Sequence, residues 1–553
     1  MTELQRTGGE LLVACLEAQG VEVGFGVPGE SYLAVLDALH DSPIRFVTSR
    51  QEGGATYSAS AWGKLTGFPG VAFVTRGPGA TNASVGLHTA MQDSSPMVLF
   101  VGQAQLGHLE REAFQEVDYR AFFGPIVKWA TQIEDVDRIP EIISRAFFTA
   151  QNGRPGPVVV ALPEDVLSAL SVASPGKRVA LARSTPTEQS IERTVELLDE
   201  AKRPLVLAGG AGWSAQDRAA LRNMVEVWNL PLASVFRNND MVDNFADHYV
   251  GDAGVGMFSY LGEAIATADL IVAIGIRFGE MTTSAYTLFE MPDAQQTVVH
   301  VHASDREIGK LIQADVAVHC SPGEFAQSVT ARAPVRHADR TTHVTKLVAA
   351  YERALVAGPQ PGPVDLGQIT RALNDSLPAD AIITSGAGNF SIWPSKHFRY
   401  GQDQRFLAPQ SGSMGYGLPA AVAAKIAYPD RMVVCFAGDG DFQMNMQELG
   451  TALQAGAQPI VIVVNNGTYG TIRMHQEREF AERVSGTDIV NPDFVAIASA
   501  YGFHAERVER TDQFQDAFER AVGSATGALI EVVLPTENLS PTATVTSLRE
   551  ASA

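Results

Sequence analysis

The chain reads as an α/β protein of three doubly wound α/β domains with parallel sheets. Two patterns point there. Short β-rich runs alternate with helical stretches from end to end, the order that places parallel strands behind crossover helices. The apolar runs, such as "MVVCF" (432–436) and "IVIVV" (460–464), end in glycine and small polar residues, where the chain would turn. The length of 553 residues exceeds one domain and suits three or four at about 150 residues each.

The first domain is expected over 1–175, with strands in "VGFGV", "IRFVTS", "GVAFVTRG", "PMVLFVG" and "GPVVVALPEDV". The stretch "SVASPGKRVALARSTPTEQS" has linker composition. A central domain follows over 185–335, with "RPLVLAGGAG", "LPLASVF", "ADLIVAIGIRFG" and "TVVHVHAS". A third spans 360–540. The polar tail after Pro535 is expected to be loosely held. No short repeat period is visible.

Bulk properties exclude some functions. A net charge of −21 argues against nucleic acid or an anionic membrane as the main partner. Cys15, Cys320 and Cys435 show no metal-ligand spacing, and Cys435 lies in an apolar run as a buried thiol would, which suits a cytoplasmic protein. The first twenty residues suggest an amphipathic helix rather than a signal peptide, and no run reaches the ~20 apolar residues of a membrane span.

The chemistry concentrates at two strand ends. "MVVCF" leads into Gly438-Asp439-Gly440, a helical stretch follows, and "IVIVV" ends in Asn465-Asn466-Gly467. Phe442, Met446, Leu449 and Leu453 fall at helical spacing and would face the sheet. Such a β-α-β unit brings both strand ends to one edge, where open α/β sheets bind ligands. Gly438 and Gly440 would admit a phosphate at the helix start. A carboxylate and an amide oxygen suit Mg²⁺, which takes one or two protein oxygens plus phosphate and water. Either motif alone is ordinary turn chemistry; together they ask for a magnesium-bridged diphosphate.

With Gly440 and Asn465 separated by the 24 residues 441–464, the pair resembles the thiamine diphosphate (ThDP) signature of the acetolactate synthase and pyruvate oxidase superfamily, which includes benzaldehyde lyase. "GVPGES" (26–31), "RQEGGATYSASAWGKLTG" (50–67), "TRGPGATNASVGLHTAMQDSSPMV" (75–98), "SGSMGYGLPAA" (411–421) and "GDGDFQMNMQEL" (438–449) resemble its motifs in order. The resemblance implies pyrimidine-binding, central and diphosphate-binding domains. It implies Mg²⁺ on Asp439, Asn466 and the Thr468 carbonyl. Pro28, Gly29, Gly386, Gly388, Asn389, Gly438, Gly440 and Asp441 would lie around the cofactor, with Met414 as the apolar residue that keeps it bent. Glu52, otherwise a plausible cap or surface acid, takes the position of the glutamate that hydrogen-bonds N1′ and so promotes formation of the C2 ylide. Its presence argues against glyoxylate carboligase, which has an apolar residue there.

The same resemblance implies a carboligase or decarboxylase acting on pyruvate or a related 2-oxo acid through that ylide and an enamine. The alternatives are a C–C lyase on acyloins or 2-hydroxyacyl-CoA, or a non-catalytic nucleotide-binding paralogue. Phe114, Gln115 and Lys128 fall on the family's substrate loop. His475 stands where biosynthetic acetolactate synthases carry a selecting tryptophan; it is a proton donor, a ketoacid contact or a loop residue. In the central domain His302 and Ser304 replace acidic positions of the flavin region, which weakens the case for FAD and leaves an ADP-like group open. A homodimer or homotetramer is implied, with a small 2-oxo acid or aldehyde bound at the subunit interface.

Overall fold

The computed structural model describes residues 5–332, 334 and 339–552. The run "RAPVRHADRTTH" and the first four residues lie partly or wholly outside these. The N-terminal helix is Gly8–Gln19, closed at its start by a Thr7–Glu10 capping box and at its end by left-handed Gly20.

Three six-stranded parallel sheets form the frame. The first contains β1 (Val23–Gly26), β2 (Arg45–Thr48), β3 (Gly70–Val74), β4 (Met97–Gln103), β5 (Trp129–Gln132) and β6 (Pro157–Pro163), in the order β2-β1-β3-β4-β6-β5. The second contains β7 (Pro204–Ala208), β8 (Leu232–Val235), β9 (Tyr249–Ala253), β10 (Leu270–Ile274), β11 (Thr297–His302) and β12 (Val316–His319), in the order β9-β8-β7-β10-β11-β12. The third contains β13 (Ile382–Ser385), β14 (Arg405–Leu407), β15 (Val433–Gly438), β16 (Ile460–Asn465), β17 (His504–Val508) and β18 (Ala528–Val533), in the order β14-β13-β15-β16-β18-β17.

The outer sheets thus share one topology although no sequence repeat announces it. The middle sheet has the strand order of a dinucleotide-binding fold, with its reversal between β7 and β10. Central strands such as β4, β6 and β15 are buried along their whole length, as sheets covered by helices on both faces require.

The helices that position the site are α1 (Glu52–Thr66), α2 (Pro78–Asp93), α3 (Ile139–Gln151), α4 (Gly417–Ala427), α5 (Asp439–Gln443), α6 (Glu448–Ala455), α7 (Gly470–Glu479) and α8 (Val545–Ser552). Helices α1 and α4 are rich in Ala, Gly and Ser and pack closely. Ser58 Oγ donates to Pro419 O (3.0 Å), and Tyr57 meets Tyr416 edge-on at 5.6 Å. One apolar core therefore runs from the first sheet into the third.

Two expectations are corrected. The helix after the GDG motif is broken at 444–447 into α5 and α6, where Asn445 turns its side chain to Gly415 O (2.9 Å). Phe442 and Leu449 are buried and Met446 half-buried, but Leu453 is exposed. The tail is not loose. Residues 538–540 and 543–544 form a small antiparallel pair, and α8 packs on α7. Arg549 grips the fully buried Glu477 through two bonds of 2.8 Å, and Arg473 adds a third at 2.9 Å.

Arg549→Met should free α8, seen as roughly tenfold faster amide exchange over 543–551 with sheet amides unchanged. The hydrogen bonds from Arg549 lower the Glu477 carboxyl from 4.5 to about 2. Docking should therefore be fully supported above pH 4.5 and fade as pH falls toward 2, measured by the same exchange.

Candidate active site at the strand ends

The C-terminal ends of β13, β15 and β16 meet at one edge of the third sheet. Asp439, first residue of α5, is 3 % exposed. Its Oδ1 accepts from Gly440 N (2.9 Å), and its Oδ2 accepts from Gly467 N (2.9 Å) and Asn491 Nδ2 (2.7 Å). Burial still raises its carboxyl above the ordinary value despite these three donors. Asn466 and Thr468 follow β16, where Asn466 Oδ1 accepts from Thr468 N (3.3 Å) around left-handed Gly467. One carboxylate with amide and carbonyl oxygens is a hard-oxygen donor set. It suits Mg²⁺ completed by phosphate and water.

Beside these donors lies a cradle without side chains. A Cβ on Gly388 would sit 2.9 Å, and one on Gly438 2.7 Å, from the Phe390 ring; one on Gly440 would sit 2.6 Å from Tyr469. Gly388, Asn389, Met414, Gly438, Gly440, Asn466 and Thr468 all line one cavity of about 1160 Å³. Gly386 does not line it, but the buried Asp441 carboxylate fixes its loop, accepting from Ala387 N (3.0 Å) and Gly415 N (2.9 Å). Burial pushes this carboxyl up to about 7.

Glu52, Gly29 and Gln115 gather at the corresponding edge of the first sheet. Asn82 Nδ2 donates to Glu52 Oε2 (3.0 Å), Gly29 lies against Thr75, and Gln115 packs on Gly77 with its own backbone left-handed. Pro28 is exposed. None of these lines the cavity. The turn leading into Glu52 is held by the third domain: buried Glu448 of α6 accepts from Arg50 N (3.1 Å) and Thr451 Oγ1 (2.5 Å).

The remaining expected residues separate. Phe114 is 74 % exposed. The Lys128 ammonium donates to Thr149 O and to Asn152 O (2.7 Å), capping the C-terminal end of α3, and burial lowers it to about 8. His475 is exposed on α7, whose Gly470, Thr471 and Ile472 face the cavity instead. Sequence reasoning missed Asn491, which also bonds Asn465 Oδ1 (2.8 Å) and is oriented by Gln443 (2.9 Å). It missed Glu448 too, although this residue lies inside the quoted motif.

The cavity continues into the middle domain, past Gly210 and Gly275 at the strand-order reversal, to Arg277, His302 and Glu307, with Arg154 of the first domain beside them. His302 Nδ1 accepts from Ser304 N (2.9 Å), and burial lowers the ring to about 4, so it is neutral near pH 7.

Family models give the same division. Those for the thiamine pyrophosphate enzyme match residues 6–122 (N-terminal TPP binding domain), 191–329 (central domain) and 386–532 (C-terminal TPP binding domain). The chain belongs to the thiamine pyrophosphate enzyme family. Within it the chain is an acetolactate synthase-like, ThDP-dependent enzyme. It is 32% identical over 528 residues to the acetolactate synthase isozyme 2 large subunit of Escherichia coli (strain K12), covering 95% of both chains. It is 33% identical over 542 residues to the acetolactate synthase large subunit of Parasynechococcus marenigrum (strain WH8102), covering 95% of this chain and 87% of the relative. With the mitochondrial acetolactate synthase catalytic subunit of Saccharomyces cerevisiae (strain ATCC 204508 / S288c), identity is 29% over 553 residues, covering 95% and 80%.

Asp441 yields a signed pH prediction. Its carboxyl titrates at about 7 when folded against 3.8 ordinarily, so the folded state holds the extra proton and this group lowers stability as pH rises from 3.8 to 7. In the cofactor-free protein, Asp441→Asn should flatten that decline in a plot of Tm against pH. Asp441→Ala should lower Tm throughout by leaving two buried N–H groups unpaired, at about 1–3 kcal/mol each.

Proposed function

We propose that this protein is a ThDP- and Mg²⁺-dependent carboligase or decarboxylase acting on pyruvate or a related 2-oxo acid. One observation carries the reading: Asp439, Asn466 and Thr468 converge beside a glycine cradle on the cavity that Met414 lines. Bound ThDP supplies a nucleophilic thiazolium carbon and an electron sink for decarboxylation.

The protein's own residues do the rest. Asp439 and Asn466, with the Thr468 carbonyl, hold the cation, and Asn491 keeps the Asp439 carboxylate turned toward it. Gly388, Gly438 and Gly440 admit the diphosphate, beside Asn389. Glu52 holds or releases a proton at the aminopyrimidine N1′. Asn82 occupies its Oε2 and leaves Oε1 for the ligand.

Glu52 does not line its own chain's cavity, which supports a site completed by a second copy, in a homodimer or homotetramer. The exposed apolar side chains Phe114, Phe122, Ile472 and Phe480 favour such an assembly. Pro28, Gly29 and Gln115 would reach the cofactor and substrate across that interface with Glu52, with Phe114 beside them. Thr471 and Ile472, rather than His475, would border the substrate. Three buried free cysteines suit the cytoplasm. Among the described residues no helix is long and apolar enough to cross a membrane.

Purified protein with ThDP, Mg²⁺ and pyruvate should release CO₂ and form acetolactate; neither product would reject the reading. Cleavage of an acyloin without CO₂ would instead identify a lyase. Glu52→Gln should keep its fold and ThDP binding while turnover drops by about 100-fold or more. Near-normal turnover in that variant would remove Glu52 from the mechanism.

A further inference from the structure

Arg237 is a buried cation with no ion pair among the described residues; Asp252, Asp93 and Asp441 support its charge only from a distance. It lies in the loop after β8, adopts a left-handed backbone (φ 61°) and is 5 % exposed. Nη2 donates to Ser391 Oγ (2.9 Å), with Gly386 O further away at 3.5 Å, and Nη1 reaches Ser395 Oγ at 3.4 Å. Nε is buried with no partner, and no carboxylate pairs with the guanidinium among the described residues. The Phe236 and Phe406 rings flank it at 5.2 and 5.9 Å. Burial lowers its pKa only to about 10, so the charge persists near pH 7. An unpaired, desolvated charge on a strained backbone is costly, and such costs concentrate where a ligand completes the site.

Its surroundings say which ligand. Arg237 comes from the middle domain, yet its contacts are with the third. Ser391 Oγ passes the hydrogen bond on to Gly388 O (2.6 Å), at the glycine whose φ of 151° few side chains tolerate. From the other side Asp441 holds Ala387 N (3.0 Å). The segment 386–391 is thus fixed between an acid of its own domain and a base of its neighbour. Arg237 lines the same cavity as Gly388, Asn389, Gly438 and Asp439.

We infer that Arg237 binds the charge of a diphosphate group held against Gly388 and positions the loop that cradles it, making ThDP affinity depend on the middle domain. The inference rests on the ThDP reading above. The guanidinium fork matches phosphate oxygens, whereas a lysine supplies the charge without the fork.

Trp393, also in the cavity wall, makes intrinsic fluorescence a direct measure of binding to the full-length protein. The probes are ThDP with Mg²⁺, inorganic pyrophosphate with Mg²⁺, and thiamine. Arg237→Met should weaken ThDP and pyrophosphate by about 10–100-fold, the range for a charge-assisted hydrogen bond, and thiamine by much less. The apparent KM for ThDP should rise by a similar factor, with a smaller change in kcat. Arg237→Lys should recover part of the phosphate-selective loss, and it carries the comparison if Arg237→Met does not fold. Unchanged ThDP affinity, or equal weakening of ThDP and thiamine, overturns the inference and leaves the proposed function standing. Wild-type protein that binds neither ThDP nor pyrophosphate rejects the cofactor reading itself, before any variant is compared.

Discussion

The close packing of α1 on α4 is the constraint on which the rest depends. It is made from residues with little side chain: Ser58 of α1 donates to Pro419 O of α4, and Ala55, Ala59, Ala420 and Ala423 are buried in the core the two helices share. On a neighbouring side of α1, a Cβ on Gly54 would come within 2.6 Å of the Glu448 carboxylate of α6. Because the seam is tight, the first and third sheets share one core. The chain cannot move Glu52, in the first turn of α1, without disturbing the helix that follows the GDG motif. Glu448 makes that link explicit by accepting from the backbone just before Glu52.

Buried charge is the second organising theme. Asp439, Asp441, Glu448 and Arg237 are all nearly inaccessible, and in each case burial disfavours the charged form. Asp441 and Glu448 are satisfied by backbone N–H groups and fix loops. Asp439 and Arg237, one negative and one positive, make no ion pair among the described residues and line the same cavity as the glycine cradle. A cation and a diphosphate, the ligands proposed above, would relieve both.

Some of the site was legible early for a physical reason. Strand, turn and helix are local, so the GDG and NNG motifs announce their own strand ends, and parallel topology brings them to one edge. Glu52 became legible only through likeness to a family, since an acid after a strand is ordinary by itself. That Lys128 caps a helix end was not legible, because a lysine in a loop shows nothing of the carbonyls its ammonium will meet. That His475 and Leu453 are exposed shows only once their helices are packed against the rest of the chain. Asn491 and Arg237 gave no signal: each acts on residues far away in sequence, from a loop with no motif.

The sequence by itself determined the class, the three parallel-sheet units and the residue types at two strand ends, because these follow from short-range periodicity and turn chemistry. Tertiary structure decided which of those residues share a cavity. It placed the middle-domain Arg237 against Ser391 of the third domain and folded a polar tail onto α7. It also left Glu52 off its own chain's cavity. These are matters of long-range packing and of where charge is desolvated, and no local stretch of the chain encodes them alone.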